Sequence, residues 1–128
     1  MNSLTITLSL PAKELSPNYS AWTHGKKMAK ARQKKLAEEE AWAATKEAIG
    51  RRNNPMWEKA SLQATFYFAT NRGRDMDNAN ASLKKHQDGI AMAGLVTNDK
   101  VITPLPPVML IDKDRPRVEI TITKGGTV

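Results

Sequence analysis

The sequence predicts a single small domain over residues 1–128, an α/β or α+β fold with a mixed sheet of about four strands and two main helices. Three segments alternate apolar and polar residues in the manner of half-buried strands, and two others have the alanine-rich, proline-free composition of helices. A chain of 128 residues is long enough for one hydrophobic core and shorter than most chains that divide into domains.

The first half of the chain predicts a strand, a long helix and a second strand. Residues 4–10 alternate strictly, and Pro11 ends that strand. A helix is predicted from about Thr23 to Ile49, with Gly50 as its stop, because glycine adopts the left-handed terminal conformation at low cost. Residues 62–68 alternate again and carry both phenylalanines, which predicts a central strand.

The second half predicts a shorter helix and two more strands. The helix covers residues 78–93, and residues 100–111 form an edge strand or a broken one, since three prolines interrupt them. Residues 117–123 alternate and form the last strand, which is predicted to pair with its predecessor as an antiparallel hairpin. Residues 124–128 are predicted to be a loose tail.

Composition narrows the partners and the possible metals. The formal charge is +7 and the pI is about 9.8, which favours a polyanion, with nucleic acid as the first candidate. The absence of cysteine excludes thiolate sites, and two histidines are too few for a histidine-rich site, so any metal is expected to be Mg²⁺ or Mn²⁺. No apolar run has membrane-spanning length and no secretory signal is evident, so we expect a cytoplasmic protein without membrane contact.

The long helix carries its positive charge in its first half. Lys26, Lys30 and Lys34 recur every four residues and therefore form a stripe on one face. This stripe fits an ordinary solvated face, with local pairs such as Lys35 with Glu39, and taken alone it favours that interpretation. The same stripe near a nuclease site would seat a phosphate backbone.

Acidic residues stand at the junctions that follow the central strand. Asp75 and Asp77 are one residue apart in a segment expected to be extended, so both side chains can approach one cation. Asp77 also fits the N-cap of the next helix. Lys84 and Asp88 lie on that helix, either as an ordinary surface pair or facing the acidic cluster, and Asp99 precedes the next strand.

Three carboxylates beside a cation predict magnesium-dependent phosphodiester hydrolysis. Asp99 joins the set if the strand after it lies beside the central strand. An acidic pocket in a basic protein would repel DNA phosphate unless a metal ion is bound, which is why the pattern favours a metal site.

Four short motifs stand at characteristic spacings in the second half of the chain: Arg74-Asp75-Met76-Asp77-Asn78, Ala81-Ser82-Leu83-Lys84, Asp88-Gly89-Ile90 and Gly94-Leu95-Val96-Thr97-Asn98-Asp99. In these motifs the sequence resembles the RusA-type Holliday junction resolvases of phages and prophages. The resemblance implies a homodimeric, magnesium-dependent endonuclease that cuts four-way DNA junctions by paired nicks. It further implies that Asp75, Asp77 and Asp99 are catalytic metal ligands and that Lys84 is the catalytic lysine.

The expected function is therefore an endodeoxyribonuclease that resolves four-way junctions in phage recombination and repair, in the cytoplasm of a bacterial host. Mg²⁺ is the expected cofactor, with Mn²⁺ as a substitute. The residues expected to contact DNA are Lys26, Lys27, Lys30, Lys34, Arg72, Arg74 and Lys85. Two alternatives stay open: a non-catalytic basic DNA-binding protein, and a metal-dependent nuclease for other branched DNA.

Overall fold

The computed structural model describes residues 1–71 and 76–125, with side chains for residues 1–71 and 78–125. These residues form one five-stranded mixed sheet and three helices, so the predicted fold class is confirmed. The strands are β1 (Ser3–Leu8), β2 (Ala60–Phe68), β3 (Ile102–Pro104), β4 (Val108–Ile111) and β5 (Arg117–Lys124). The helices are α1 (His24–Ile49), α2 (Met76–Ala81) and α3 (Lys84–Met92).

The sheet has the order β1-β5-β2, with β3 and β4 one after the other along the far edge of β2. β5 is antiparallel to both β1 and β2, whereas β3 and β4 run parallel to β2. The predicted hairpin of the last two strands is therefore wrong, because β4 and β5 flank β2 on opposite sides. The crossover through α2 and α3 returns the chain to the start of β2, and a strand entered from that end runs parallel.

Helix α1 has the bounds that the sequence predicts but buries only its second half. Thr23 caps the start by accepting a hydrogen bond from the Lys26 amide, and Gly50 ends the helix with a φ of 67°. The buried positions of α1 recur every four residues, which makes one stripe against the rest of the molecule. They are Ala37, Ala41, Thr45 and Ile49. The first half of α1 is left on the surface.

The single helix predicted over residues 78–93 is divided into α2 and α3. The division falls at Leu83, whose ψ of 5° departs from helical geometry, and its amide donates to the carbonyl of Asn80. The turn lets α3 lie against α1, where Gly89 packs directly on the backbone of α1. Leu83 and Ile90 are fully buried in this arrangement, so the apolar pattern is respected although the helix is broken.

The segment between residues 100 and 111 is a broken edge strand, as predicted, and it forms β3 and β4. The predicted loose tail begins too early. Lys124 belongs to β5 and donates its amide to the carbonyl of Asn2, and the Gly125 amide donates to the carbonyl of Lys59. Residues 126–128 lie outside the described part. No helix among the described residues is long and apolar enough to cross a membrane.

Candidate nucleic-acid interface

The predicted acidic pair falls largely outside the described residues. Asp75 lies outside them, as do Arg72 and Arg74. Asp77 is described only as backbone in the first turn of α2. Because α2 begins at Met76, Asp77 lies inside the helix and the predicted N-cap is wrong. Its predicted role as a metal ligand depends on a side chain outside the described set.

Asp99 is described and has a carboxylate available for a ligand. It begins a short 3-10 turn, Asp99–Val101, that leads into β3. The side chain of Asn98 caps this turn by accepting from the Lys100 amide at 2.8 Å. The Asp99 carboxylate is half-buried and makes no hydrogen bond or ion pair within the described part of the chain.

Strand register places Asp99 near the start of β2. The strand that follows it does lie beside β2, as the prediction required, and Ile102 pairs in parallel with Ala60. Asn78, the residue after Asp77, lines a cavity with Phe66 and Phe68 at the other end of β2. α2 extends from there along β2, because Asn80 donates to the Leu105 carbonyl and the Leu105 amide donates to the Leu62 carbonyl.

No group of three acidic or histidine side chains in the described part of the chain could hold a metal ion. Because two of the three predicted ligands fall outside that part, the three-carboxylate site stays a prediction. The parallel register of β3 adds one fixed point to it, because it holds Asp99 near the start of β2.

Lys26 and Lys27 of the predicted DNA contacts are exposed and line no groove with the others, whereas four predicted lysines of α1 and α3 do come together. They line one groove of about 440 Å³, which we call the basic groove, between the first half of α1 and the start of α3. Lys30 and Lys34 form one wall, and Lys84 and Lys85 form the other. Its remaining lining residues are Leu15, Ser16, Pro17, Ala81, Ser82 and Asp88.

The charges in the basic groove are unequally compensated. The Nζ of Lys85 lies 3.3 Å from a carboxylate oxygen of Asp88 and 3.9 Å from one of Glu38, so these two carboxylates largely neutralise its charge. Asp88 thus pairs with Lys85 rather than with Lys84.

Three lysines of the groove are left without a counter-charge. Lys30, Lys34 and Lys84 make no ion pair with any described residue, and the pair of Lys35 with Glu39 suggested by spacing is not formed either. Three lysine side chains without an ion-pair partner at one groove favour a ligand with several negative charges.

A second cavity of about 390 Å³ adjoins the basic groove, and Ser16 and Ser82 line both. Phe66 and Phe68, whose rings stack with centroids 5.8 Å apart, form part of its wall. This cavity lies at the carboxyl end of β2, the end that the acidic segment follows in sequence. Ligand sites of α/β sheets commonly form at this end of the strands.

Sequence reasoning overlooked two polar side chains, the buried His86 and the half-buried Asn80. His86 is almost fully buried and lines a smaller cavity with Glu40, and its Nδ1 has no hydrogen-bond partner in the described structure. Burial lowers the pKa of His86, while the nearby Glu40 charge acts in the opposite direction. Asn80 anchors α2 by donating to the Leu105 carbonyl at 2.8 Å. The position of His86 three residues after Leu83, on the apolar stripe, was the available signal.

No protein family matches this sequence, and no characterised protein is significantly similar to it. The likeness to RusA-type resolvases therefore rests on the motifs quoted above and stays a prediction.

Proposed function

We propose that the protein is a metal-dependent endodeoxyribonuclease for branched DNA, with the four-way junction as its main substrate and a homodimer as its working form. The observation that carries the proposal is the basic groove. Lysines from two helices line it, three of them make no ion pair with any described residue, and it adjoins the cavity at the carboxyl end of β2. The acidic segment of the sequence follows that strand directly.

The groove suits a phosphate backbone better than a single small anion. Lys30 and Lys34 are four residues apart on α1, so they present charge at two points about 6 Å apart along the helix axis. Lys84 faces them from the start of α3. Lys85 contributes less to binding because Asp88 and Glu38 already neutralise it.

Asp75 and Asp77 are the residues that would hold the divalent ion, since carboxylate oxygens suit Mg²⁺ and Mn²⁺. When bound, such an ion polarises a phosphoryl oxygen and lowers the pKa of a bound water. Lys84 would stabilise negative charge that develops on the phosphate during hydrolysis. Asp99, which the register of β3 holds near the start of β2, is the third candidate ligand.

The test is incubation of the purified protein with a synthetic four-way junction and Mg²⁺. We expect paired nicks at the branch, and we expect Asp75→Asn to abolish them. Asp114→Asn is the matched control, because Asp114 is an exposed aspartate in the turn between β4 and β5 and should leave nicking unchanged.

An intact junction under both Mg²⁺ and Mn²⁺ would contradict the proposal. Tight binding without any cleavage, unaffected by EDTA, would identify a non-catalytic DNA-binding protein instead. Faster cleavage of flaps than of four-way junctions would keep the nuclease activity and correct the substrate.

A further inference from the structure

Trp22 is the most exposed large apolar side chain of the described residues, with 73% of its surface open to solvent. It lies just before α1, and the ammonium group of Lys26 sits 5.5 Å from the centre of its ring. Tryptophan is usually buried to a large extent, so a ring left this open next to a cation favours a binding role.

Trp22 stands at the head of the lysine stripe. Lys26, Lys30 and Lys34 follow one another at intervals of four residues within α1, and Trp22, which lies before the helix, joins this row through the contact of its ring with Lys26. Positions four apart in a helix share one face and advance about 6 Å along its axis. Since Lys30 and Lys34 line the basic groove, this row leads out of the groove to the tryptophan ring.

The surface around this row has the character of a nucleic-acid contact. Between His24 and Ala37 the helix carries no acidic residue, and nothing in that stretch before Ala37 is buried. Its basic residues are Lys26, Lys27, Lys30, Arg32, Lys34 and Lys35. A partner must therefore neutralise many positive charges and also cover a flat aromatic ring. A nucleic-acid strand has both features, whereas an apolar peptide would leave the lysines without counter-charges.

We propose that Trp22 stacks on an unpaired nucleobase of a DNA strand whose phosphates follow the lysine row from the basic groove. This inference rests on the proposed function, and it adds a requirement for a base that is not held in a duplex. Lys26 lies near one part of the Trp22 ring, and the base stacks on the part of the ring that is exposed to solvent. Stacking of this kind tolerates any base, because every base has a flat π-face.

The test measures binding in EDTA, so that cleavage plays no part. The probes are a fluorescent oligodeoxythymidine of about 20 nucleotides and a blunt duplex of the same length. We expect Trp22→Ala to weaken binding of the oligothymidine about 5- to 100-fold, while duplex binding changes by less than about twofold. Trp22→Phe should restore most of the loss, because it keeps an aromatic face.

Trp42→Ala is the matched control. Trp42 is also exposed, at 44%, but lies on α1 beyond the acidic run Glu38–Glu40, so its removal should leave both affinities unchanged. The inference is overturned if Trp22→Ala binds oligothymidine as tightly as Trp42→Ala does. It is also overturned if the wild type shows no binding to oligothymidine, or if Trp22→Ala loses duplex and single-strand affinity equally.

The two proposals fail in distinguishable ways. If Trp22→Ala has no effect but the wild type nicks the junction with Mg²⁺, only the stacking inference is wrong. If stacking is found but no nicking occurs with either Mg²⁺ or Mn²⁺, the nuclease proposal is wrong and the base-binding site stands.

Discussion

Gly89 is the residue on which the close approach of α3 to α1 depends. A Cβ atom added there would collide with the carbonyl oxygen of Glu38 and lie 3.0 Å from the backbone nitrogen of Trp42. Neither backbone atom can move without shifting a helix. Gly89→Ala should therefore lower the free energy of unfolding by about 1–3 kcal/mol, measured by urea denaturation.

Gly25→Ala is the control for this prediction. A Cβ at Gly25 would meet nothing within 4 Å, and alanine favours helix, so stability should be unchanged or higher by up to about 1 kcal/mol. A Gly89→Ala protein that unfolds at the wild-type urea concentration would contradict the packing described for the two helices.

His86 predicts how stability responds to acid. Its pKa is lowered in the folded protein because burial disfavours the charged imidazolium. The unfolded chain therefore binds more protons once the pH falls below about 6.5, the ordinary histidine value, and stability declines from there downward. Urea denaturation between pH 7.5 and pH 5.5, values chosen to bracket the histidine pKa, should show this decline in the wild type.

His86→Gln removes the ionisable group and should flatten that decline. His24→Gln is the matched control, because His24 is exposed, and it should keep the wild-type pH dependence. An identical pH dependence in His86→Gln and the wild type would show that His86 is not the group responsible.

At the scale of elements, the first half of α1 differs from the second. It buries nothing before Ala37, so its stability depends on its own hydrogen bonds and on the Thr23 cap, which accepts from the Lys26 amide at 3.2 Å. Thr23→Ala should cost this part of the helix about 1 kcal/mol, equivalent to roughly fivefold faster amide exchange in its first turns. Amides near Thr45, in the packed half of α1, should exchange at the wild-type rate in Thr23→Ala. Equally faster amide exchange in both halves would contradict the difference in stability described for them.

Element positions were largely predictable, and their partners were not. Alternation located β1, β2 and β5 because each buries one face, and composition located α1 with its glycine stop. The turn at Leu83 left the apolar spacing intact and so gave no signal in the pattern. Alternation also carries no information on which strands pair, and this is why β4 was expected beside β5 rather than parallel to β2.

The candidate site was also predictable only in part, because a local sequence pattern locates residues on an element but does not say which elements pack together. The lysine stripe of α1 is a matter of helical spacing, and the sequence contains it. That Lys84 faces this stripe depends on how α3 packs on α1, which is set by contacts distant in sequence such as that of Gly89. The position of Asp99 depends on the register of β3 with Ala60, which spacing alone does not define.

At the scale of the whole molecule, the net charge of +7 would attract the proposed DNA partner from any side, whereas the proposal assigns binding to the basic groove. Lys30→Ala should reduce the slope of log affinity against log salt by about 1, since one phosphate contact is lost. Lys59→Ala removes the same charge from an exposed position before β2 and should leave the slope unchanged. Equal reductions in the two variants would show that net charge, not the groove, governs binding.

The most direct test of the central claim is junction affinity measured with and without Ca²⁺, an ion chosen to support binding without cleavage. If the acidic segment holds a cation against DNA in the basic groove, wild-type affinity rises severalfold when Ca²⁺ replaces EDTA. Asp75→Asn should gain nothing from Ca²⁺, and in EDTA it should bind at least as tightly as the wild type, because a repelling charge is gone. Equal responses of the two proteins to Ca²⁺ would contradict the claim.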